Sequence, residues 1–311
     1  MLAQGYRVAV TGRRADVGEA VAKELDPEGN KVIYVQCDVS SYASQSGLFK
    51  AVWAKWARLD VFVANAGFVD RSSVYDFAGR SRSIDDLPAE PDLSCTDTNV
   101  KGVIYGTMLS THFMRHNPTP GGKIIITGSI IGIHPCPTFP EYCATKAAAH
   151  QWARTMAPVL KKQENITINV VMPGAYDTPA MPGFAEAFLP EQYVSFLALA
   201  SLRCPSRNSF LPPPSSLAKK AGLTDRRRSL TLKDCLMSAY DEFLHDKENK
   251  TTAQTVETGH DQLYYYDVPE SQSGGVGYRN TLVYEPWFSI VHGGRSELEN
   301  ALQESPRKKA A

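Results

Sequence analysis

Tyr142 and Lys146 stand four residues apart in the stretch PEYCATKAAAH (140–150), so on a helix their side chains share one face. A phenol and an ammonium placed together can handle a proton. A free tyrosine, with a pKa near ~10, is a poor base at neutral pH, and a neighbouring positive charge favours its phenolate. The spacing Y-x-x-x-K is by itself common on surface helices, and its meaning here comes from its company. Ser129, thirteen residues upstream of the tyrosine, ends an apolar strand, where a side chain faces the ligand crevice of a parallel sheet. Asn99 lies on the preceding helix, Asn65-Ala66-Gly67 ends an earlier strand, and Pro173-Gly174 ends the next one.

Other candidate centres are weaker. GYRVAVTGRRADVG (5–18) reads as a strand entering a glycine-rich turn, but G-x-G-x-x-G fails at Arg14 and T-G-x-x-x-G-x-G fails at Asp16. His112 and His116 are one helical turn apart in HFMRH. A metalloprotease helix would carry Glu where Phe113 stands, so no metal site is expected. The six cysteines (Cys37, Cys95, Cys136, Cys143, Cys204, Cys235) include no C-x-x-C pair, which suits reduced thiols and a cytoplasmic location. Asn165-Ile166-Thr167 is a glycosylation sequon that matters only in a secreted chain, and RRRS (226–229) reads as solvated charge.

The elements that must position these residues alternate from Tyr6 to Ile133 and beyond. Apolar strands are expected at 7–11, 31–39, 59–67, 121–129 and 166–174, with helices at 15–25, 46–57, 95–115 and 140–161 between them. Continuous apolar strands separated by helices imply a parallel sheet covered on both faces, a doubly wound α/β architecture with its ligands at the carboxyl ends of the strands. The pattern lapses over 200–228, where a triple proline, serines and a basic cluster read as a disordered insertion, and returns with a helix at 230–246 and a strand near 253–258. A single domain over 1–262 and an irregular tail over 263–311 follow. With 311 residues, 43% hydrophobic, and 33 basic against 33 acidic side chains, the chain is globular and carries no bulk charge to attract nucleic acid or an anionic membrane. No apolar run approaches the ~20 residues that span a bilayer.

In order and spacing, over roughly residues 3–180 and the helix near 230–246, these motifs resemble the short-chain dehydrogenase/reductase family. GYRVAVTGRRADVGEAV and the poorly regular C-terminal part look most like its 15-hydroxyprostaglandin dehydrogenase-like group. The resemblance implies an NAD(P)-dependent oxidoreductase acting on a small-molecule alcohol or ketone, as a homodimer or homotetramer. It implies Tyr142 as general acid/base, its pKa lowered by Lys146 together with the positive charge of the oxidised nicotinamide; the lysine also holds the nicotinamide ribose. Ser129 would hydrogen-bond the reacting oxygen, and Asn99 would hold a water that relays the proton onward from the lysine.

The same register places GYRVAVTGRR on the family's second strand, because CDV (37–39) and NAG (65–67) follow at the expected distances. The usual first strand, glycine-rich turn and most of the first helix are then missing, and the absent strand belongs between the strands at 7–11 and 59–67. Gly12 stands where NAD-preferring members carry an acid. Arg13 and Arg14 follow, so NADP is expected to be preferred, with NAD possible. Asp38 and Val39 would flank the adenine, Asn65, Ala66 and Gly67 would pass its ribose, and Pro173, Gly174, Tyr176 and Thr178 would lie on the nicotinamide side. Two function classes fit this outline, an active dehydrogenase and a catalytically silent scaffold offering a dimerisation surface.

Overall fold

The computed structural model describes residues 1–174, 233–259 and 262–303. Five strands form one sheet in the order β3 (Val61–Ala64), β4 (Gly122–Thr127), β5 (Ile166–Pro173), β6 (Thr255–Thr258) and β7 (Leu263–Tyr265). The first four run parallel, and β7 returns antiparallel to β6. β1 (Val8–Gly12) and β2 (Val32–Gln36) pair in parallel as a separate two-stranded sheet.

Alternation of side chains along the central strands explains the layers. Ile124 and Ile126 of β4, with Ile168, Val170 and Met172 of β5, pack on one face against α4 (Gly102–Arg115) and α5 (Pro140–Glu164). Ile125 and Val171 point the other way, into a cluster with Ala239, Phe243 and Leu244 of α6 (Lys233–His245). Both faces of these strands are therefore covered, which is why they read as unbroken apolar runs. On α5 the stripe Ala149, Ala153 and Ala157 is fully buried. Small residues at this spacing let the helix lie close to the sheet, and alanine keeps it helical.

Upstream, α1 (Ala15–Leu25) follows β1, and α2 (Tyr42–Trp56) follows β2 with its first turn capped by the Ser41 hydroxyl, which accepts from the Ser44 N–H at 3.3 Å. A short α3 (Ser94–Thr96) runs through a π-helical turn over Asp97–Lys101 into α4. The segment from 263, expected to be irregular, holds β7, α7 (Gly275–Arg279) and α8 (Glu285–His292). None of these is long enough for periodicity to register. The expected insertion at 200–228 lies outside the described residues, and among those described no helix is long and apolar enough to cross a membrane.

The expected gap is visible. β1 and β3 do not pair; a cleft of about 430 Å³ separates them, floored by Leu48, Phe49, Val52 and Trp56 of α2. Val8, Ala9 and Val10 on one side and all four residues of β3 on the other are only partly buried, while Ile124–Ile126 are fully so. Each unpaired, desolvated backbone group costs roughly 1–3 kcal/mol, against a whole-domain stability of ~5–15 kcal/mol. Extending the chain before β1 by about 30 residues that form an apolar strand, a turn and a helix should raise Tm and solubility together. Thermal melting of both chains checks this, and equal Tm values would mean that the cleft is not a strand vacancy.

Candidate active site

α5 begins at Pro140, suited to a first helical position, but the residue before it gives no side-chain cap. The cap comes from a distance. Asp70 accepts from the N–H groups of Glu141 at 2.9 Å and Tyr142 at 2.7 Å, one with each carboxylate oxygen. Glu141 in turn accepts from the N–H and hydroxyl of Thr96, at 2.9 and 2.7 Å. The helix starts carrying Tyr142 and Asn99 are thereby fastened to each other. Cys95, fully buried beside both acids, has its thiol pushed up to about 11, mainly by burial. Asp70, Cys95 and Glu141 offer ligand atoms within 4.8 Å of one another. Their carboxylates are already engaged by N–H and hydroxyl donors, and the thiol is held protonated.

The sequence-derived catalytic candidates come together. The Ser129 side chain stands near the Tyr142 phenol, where it favours the phenolate, and the Lys146 ammonium lies 5.4 Å from the tyrosine ring centroid. Lys146 is 5% exposed and donates to the Thr127 carbonyl at 2.7 Å, at the end of β4. Burial pulls its pKa down to about 8. The chain's own groups do not by themselves give the lowering expected for Tyr142 beside an oxidised nicotinamide. Burial raises the phenol above its ordinary value, and the neighbouring Ser129 side chain opposes that rise only in part.

Asn99 sits in the π-helical turn and is 1% exposed. Its amide nitrogen donates to the Phe68 carbonyl and Thr145 hydroxyl, both at 3.0 Å, and its oxygen accepts from the Phe68 N–H at 3.2 Å. The side chain thus fixes the turn after β3. A Cβ on Gly67 would come 3.0 Å from the Asn99 oxygen and 3.5 Å from the Lys146 nitrogen, so glycine keeps open the small space that both atoms border.

The remaining candidates lie along one edge of the two sheets. The turn bearing Arg13 and Arg14 is held by its carbonyls: Tyr34 donates to those of Gly12 at 2.6 Å and Arg14 at 3.0 Å, and Gln36 to that of Arg13 at 2.9 Å. Both arginines are exposed at the start of α1. Asp38 accepts from the hydroxyl and N–H of Ser40, which keep its carboxyl below the usual range. The Val39 carbonyl accepts from Gln45. Asn65 accepts from the Thr127 hydroxyl at 3.0 Å, and Asn65, Ala66 and Gly67 are exposed. Pro173 and Gly174 close β5, whereas Tyr176 and Thr178 lie outside the described residues.

The profile described as short chain dehydrogenase matches residues 1–187. The chain belongs to the short-chain dehydrogenase family. This makes it an oxidoreductase on a Rossmann-like fold. It is 37% identical to short-chain dehydrogenase/reductase prx6 of Penicillium rubens over 302 residues, covering 97% of this chain and 88% of that protein. To the 15-hydroxyprostaglandin dehydrogenase [NAD(+)] of Mus musculus it is 28% identical over 200 residues, 63% of this chain and 68% of that one. Among solved structures it is similar in fold to an alcohol dehydrogenase from Thermococcus sibiricus complexed with 5-hydroxy-NADP. There the TM-score is 0.55 and the identity 21%, over 86% of this chain and 90% of the other.

Sequence reasoning missed the residues that act across long separations. Tyr240 of α6 shares a 2.6 Å hydrogen bond with the Thr127 hydroxyl, and Asp70 caps α5; neither has a local signal. His150 had one, at eight residues from Tyr142 on the same helix, but a lone histidine on a helix reads as core. It is 3% exposed, and burial followed by the charges of Lys146 and Arg154 pushes its pKa down to about 4. The unfolded chain takes up this proton near pH 6.5 and the folded one only near 4, so acid favours unfolding. The contribution is full above pH 6.5 and lost as pH falls to 4, by up to roughly 3 kcal/mol. Urea unfolding across this window should show His150→Gln losing less stability than the parent; parallel losses would contradict the assignment.

Proposed function

We propose that this short-chain dehydrogenase interconverts a secondary alcohol and a ketone using a nicotinamide dinucleotide, with Tyr142 as general acid/base. The observation that carries the reading is the convergence of three groups: the Tyr142 phenol, the Ser129 side chain that favours its phenolate, and the Lys146 ammonium 5.4 Å from its ring.

The residues present fit a dinucleotide. Among the described residues the buried Lys146 ammonium donates only to the Thr127 carbonyl, which leaves donors for a ribose. At the far end, Arg13 and Arg14 are exposed on a turn held only through its backbone, as a 2′-phosphate requires. Asp38 and Val39 would flank the adenine and Asn65, Ala66 and Gly67 its ribose, with Pro173, Gly174, Tyr176 and Thr178 on the nicotinamide side. When bound, the dinucleotide accepts or supplies the hydride.

The chain's own groups handle the proton. With its pKa raised by burial, Tyr142 stands protonated at neutral pH and is ready to donate to a ketone oxygen as charge develops there. Ser129 hydrogen-bonds the same oxygen and stabilises that charge. Lys146 holds the ribose and favours the phenolate left behind, and a water at Asn99 returns the proton by way of the lysine. In alcohol oxidation the phenolate takes the hydroxyl proton. Cys37, Cys95, Cys136 and Cys143 are free thiols, which supports a cytoplasmic enzyme.

Tyr142→Phe should abolish turnover, by at least about a hundredfold, while cofactor affinity stays nearly intact. Lys146→Ala should harm both. Steady-state kinetics with fluorescence titration of NADPH separates the two effects, and equal, mild losses would favour the silent scaffold.

Cofactor choice gives an independent check. Titration of both cofactors should show tighter binding of NADPH than NADH, because two guanidinium groups face the 2′-phosphate. Gly12→Asp should turn the preference toward NADH, since no Cβ neighbour lies within 4 Å of Gly12 to resist the larger side chain. Tighter binding of NADH by the parent chain would overturn the role of the arginines.

A further inference from the structure

We propose that His150 is a positioning residue for Ser129, holding the serine's turn against α5 so that its side chain meets Tyr142. The inference rests on the acid/base reading of Tyr142 and deepens it.

The chain leaves β4 through Gly128 and Ser129 and enters a single 3-10 turn over Ile130–Gly132. Ser129 has an extended backbone at that turn's start and makes no capping bond of its own. Its N–H points instead at the His150 ring and donates to Nε2 at 3.3 Å. An acceptor at Nε2 requires the neutral ring, with its proton on Nδ1. The site enforces that neutrality, since the ring is buried next to the Lys146 ammonium.

The turn is shaped to the ring. A Cβ on Gly128 would fall 2.2 Å from Nε2, and one on Gly132 would fall 2.6 Å from Cε1. Glycine at both ends lets residues 128–132 close over the imidazole. Tyr142, Lys146 and His150 follow one another at four-residue intervals along α5. One helix therefore carries the proton donor, the cation that bonds the end of β4, and the ring that seats the serine just beyond it. His150 Nδ1 has no hydrogen-bond partner among the described residues. A buried donor left unpaired carries a cost, and an apolar side chain would avoid it. Packing alone does not account for a histidine here, whereas the acceptor at Nε2 does.

The test reads Tyr142 directly and needs no turnover. Its ionisation is followed by NMR of the ring-labelled full chain through an alkaline titration, in the parent, Ser129→Ala, His150→Leu and the double variant. Cys95, Cys143, Lys146 and Ser129 are the titratable or hydrogen-bonding groups that act on this phenol, and the first three are unchanged throughout. Ser129→Ala should raise the Tyr142 pKa, because the hydroxyl that favours the phenolate is lost. His150→Leu should raise it by a similar amount, and the double variant by no more than either single one. His150→Gln, whose amide oxygen can accept the Ser129 N–H, should restore most of the parent value and serves where the leucine variant does not fold. In turnover, His150→Leu should lower kcat about tenfold or more with little change in KM for the cofactor.

An unchanged Tyr142 titration in both His150 variants, with a clear shift in Ser129→Ala, would overturn the inference. Additive shifts would also overturn it. Failure of the underlying acid/base reading has a different signature: Tyr142→Phe would remain active whatever the titrations show.

Discussion

The bond from the Lys146 ammonium to the Thr127 carbonyl is the interaction on which the site's geometry depends. It is 2.7 Å long, buried, and joins the second turn of α5 to the last residue of β4. A charge this deep is tolerable only where its donors are met, and removing the acceptor would leave a cation stranded in an apolar layer. Thr127 is therefore committed twice. Its carbonyl receives the lysine, while its hydroxyl links Asn65 at the end of β3 to Tyr240 on α6. Three elements that share no sequence neighbourhood are indexed to one residue, and Ser129 follows two positions later.

Electrostatics then sets what the assembled groups can do. Burial acts in opposite directions on the two partners, raising the phenol of Tyr142 and lowering the ammonium of Lys146 to about 8. Both shifts disfavour the charged form, so the site resists forming a phenolate. Among the groups around the ring, the Ser129 side chain is the one that favours it. The site is thus better prepared to give a proton than to take one, and added positive charge beside the ring would move it toward the base.

Much of this was legible in the sequence, for local reasons. Four-residue spacing is enough to put Tyr142 and Lys146 on one helix face, and the run IIIT announces a strand covered on both sides before any packing is known. The gap beside β3 was also readable, because the spacing from GYRVAVTGRR to CDV and NAG fixes which strand is present. What stayed hidden was long-range. Asp70 caps a helix whose first N–H groups lie 71 and 72 residues away, and Tyr240 meets Thr127 across 113. The rise of the Tyr142 phenol was hidden for a related reason, since the desolvation that causes it exists only once α5 is packed on the sheet. β7 escaped because three residues are too few for alternation to be counted.

The separation of β1 from β3 bears on function as well as stability. The groups proposed for the adenine (Arg13, Arg14, Asp38 and Val39) lie at the ends of β1 and β2, whereas those proposed for its ribose and for the nicotinamide lie after β3 and on β4, β5 and α5. No strand hydrogen bonds join the two sets; among the described residues they are held together through α2, whose Leu48 and Val52 pack with Ala9, Val35 and Leu59. An extended ligand spanning both sets must therefore rely on side-chain packing for the spacing of its two anchor points. Side-chain packing tolerates small shifts that a hydrogen-bonded ladder would forbid. Any tightening of the contact between β1 and β3 should be felt first in how well the two ends of a dinucleotide are gripped at once. The chemistry at Tyr142, anchored by Asp70 and Thr127 within the larger sheet, is insulated from it.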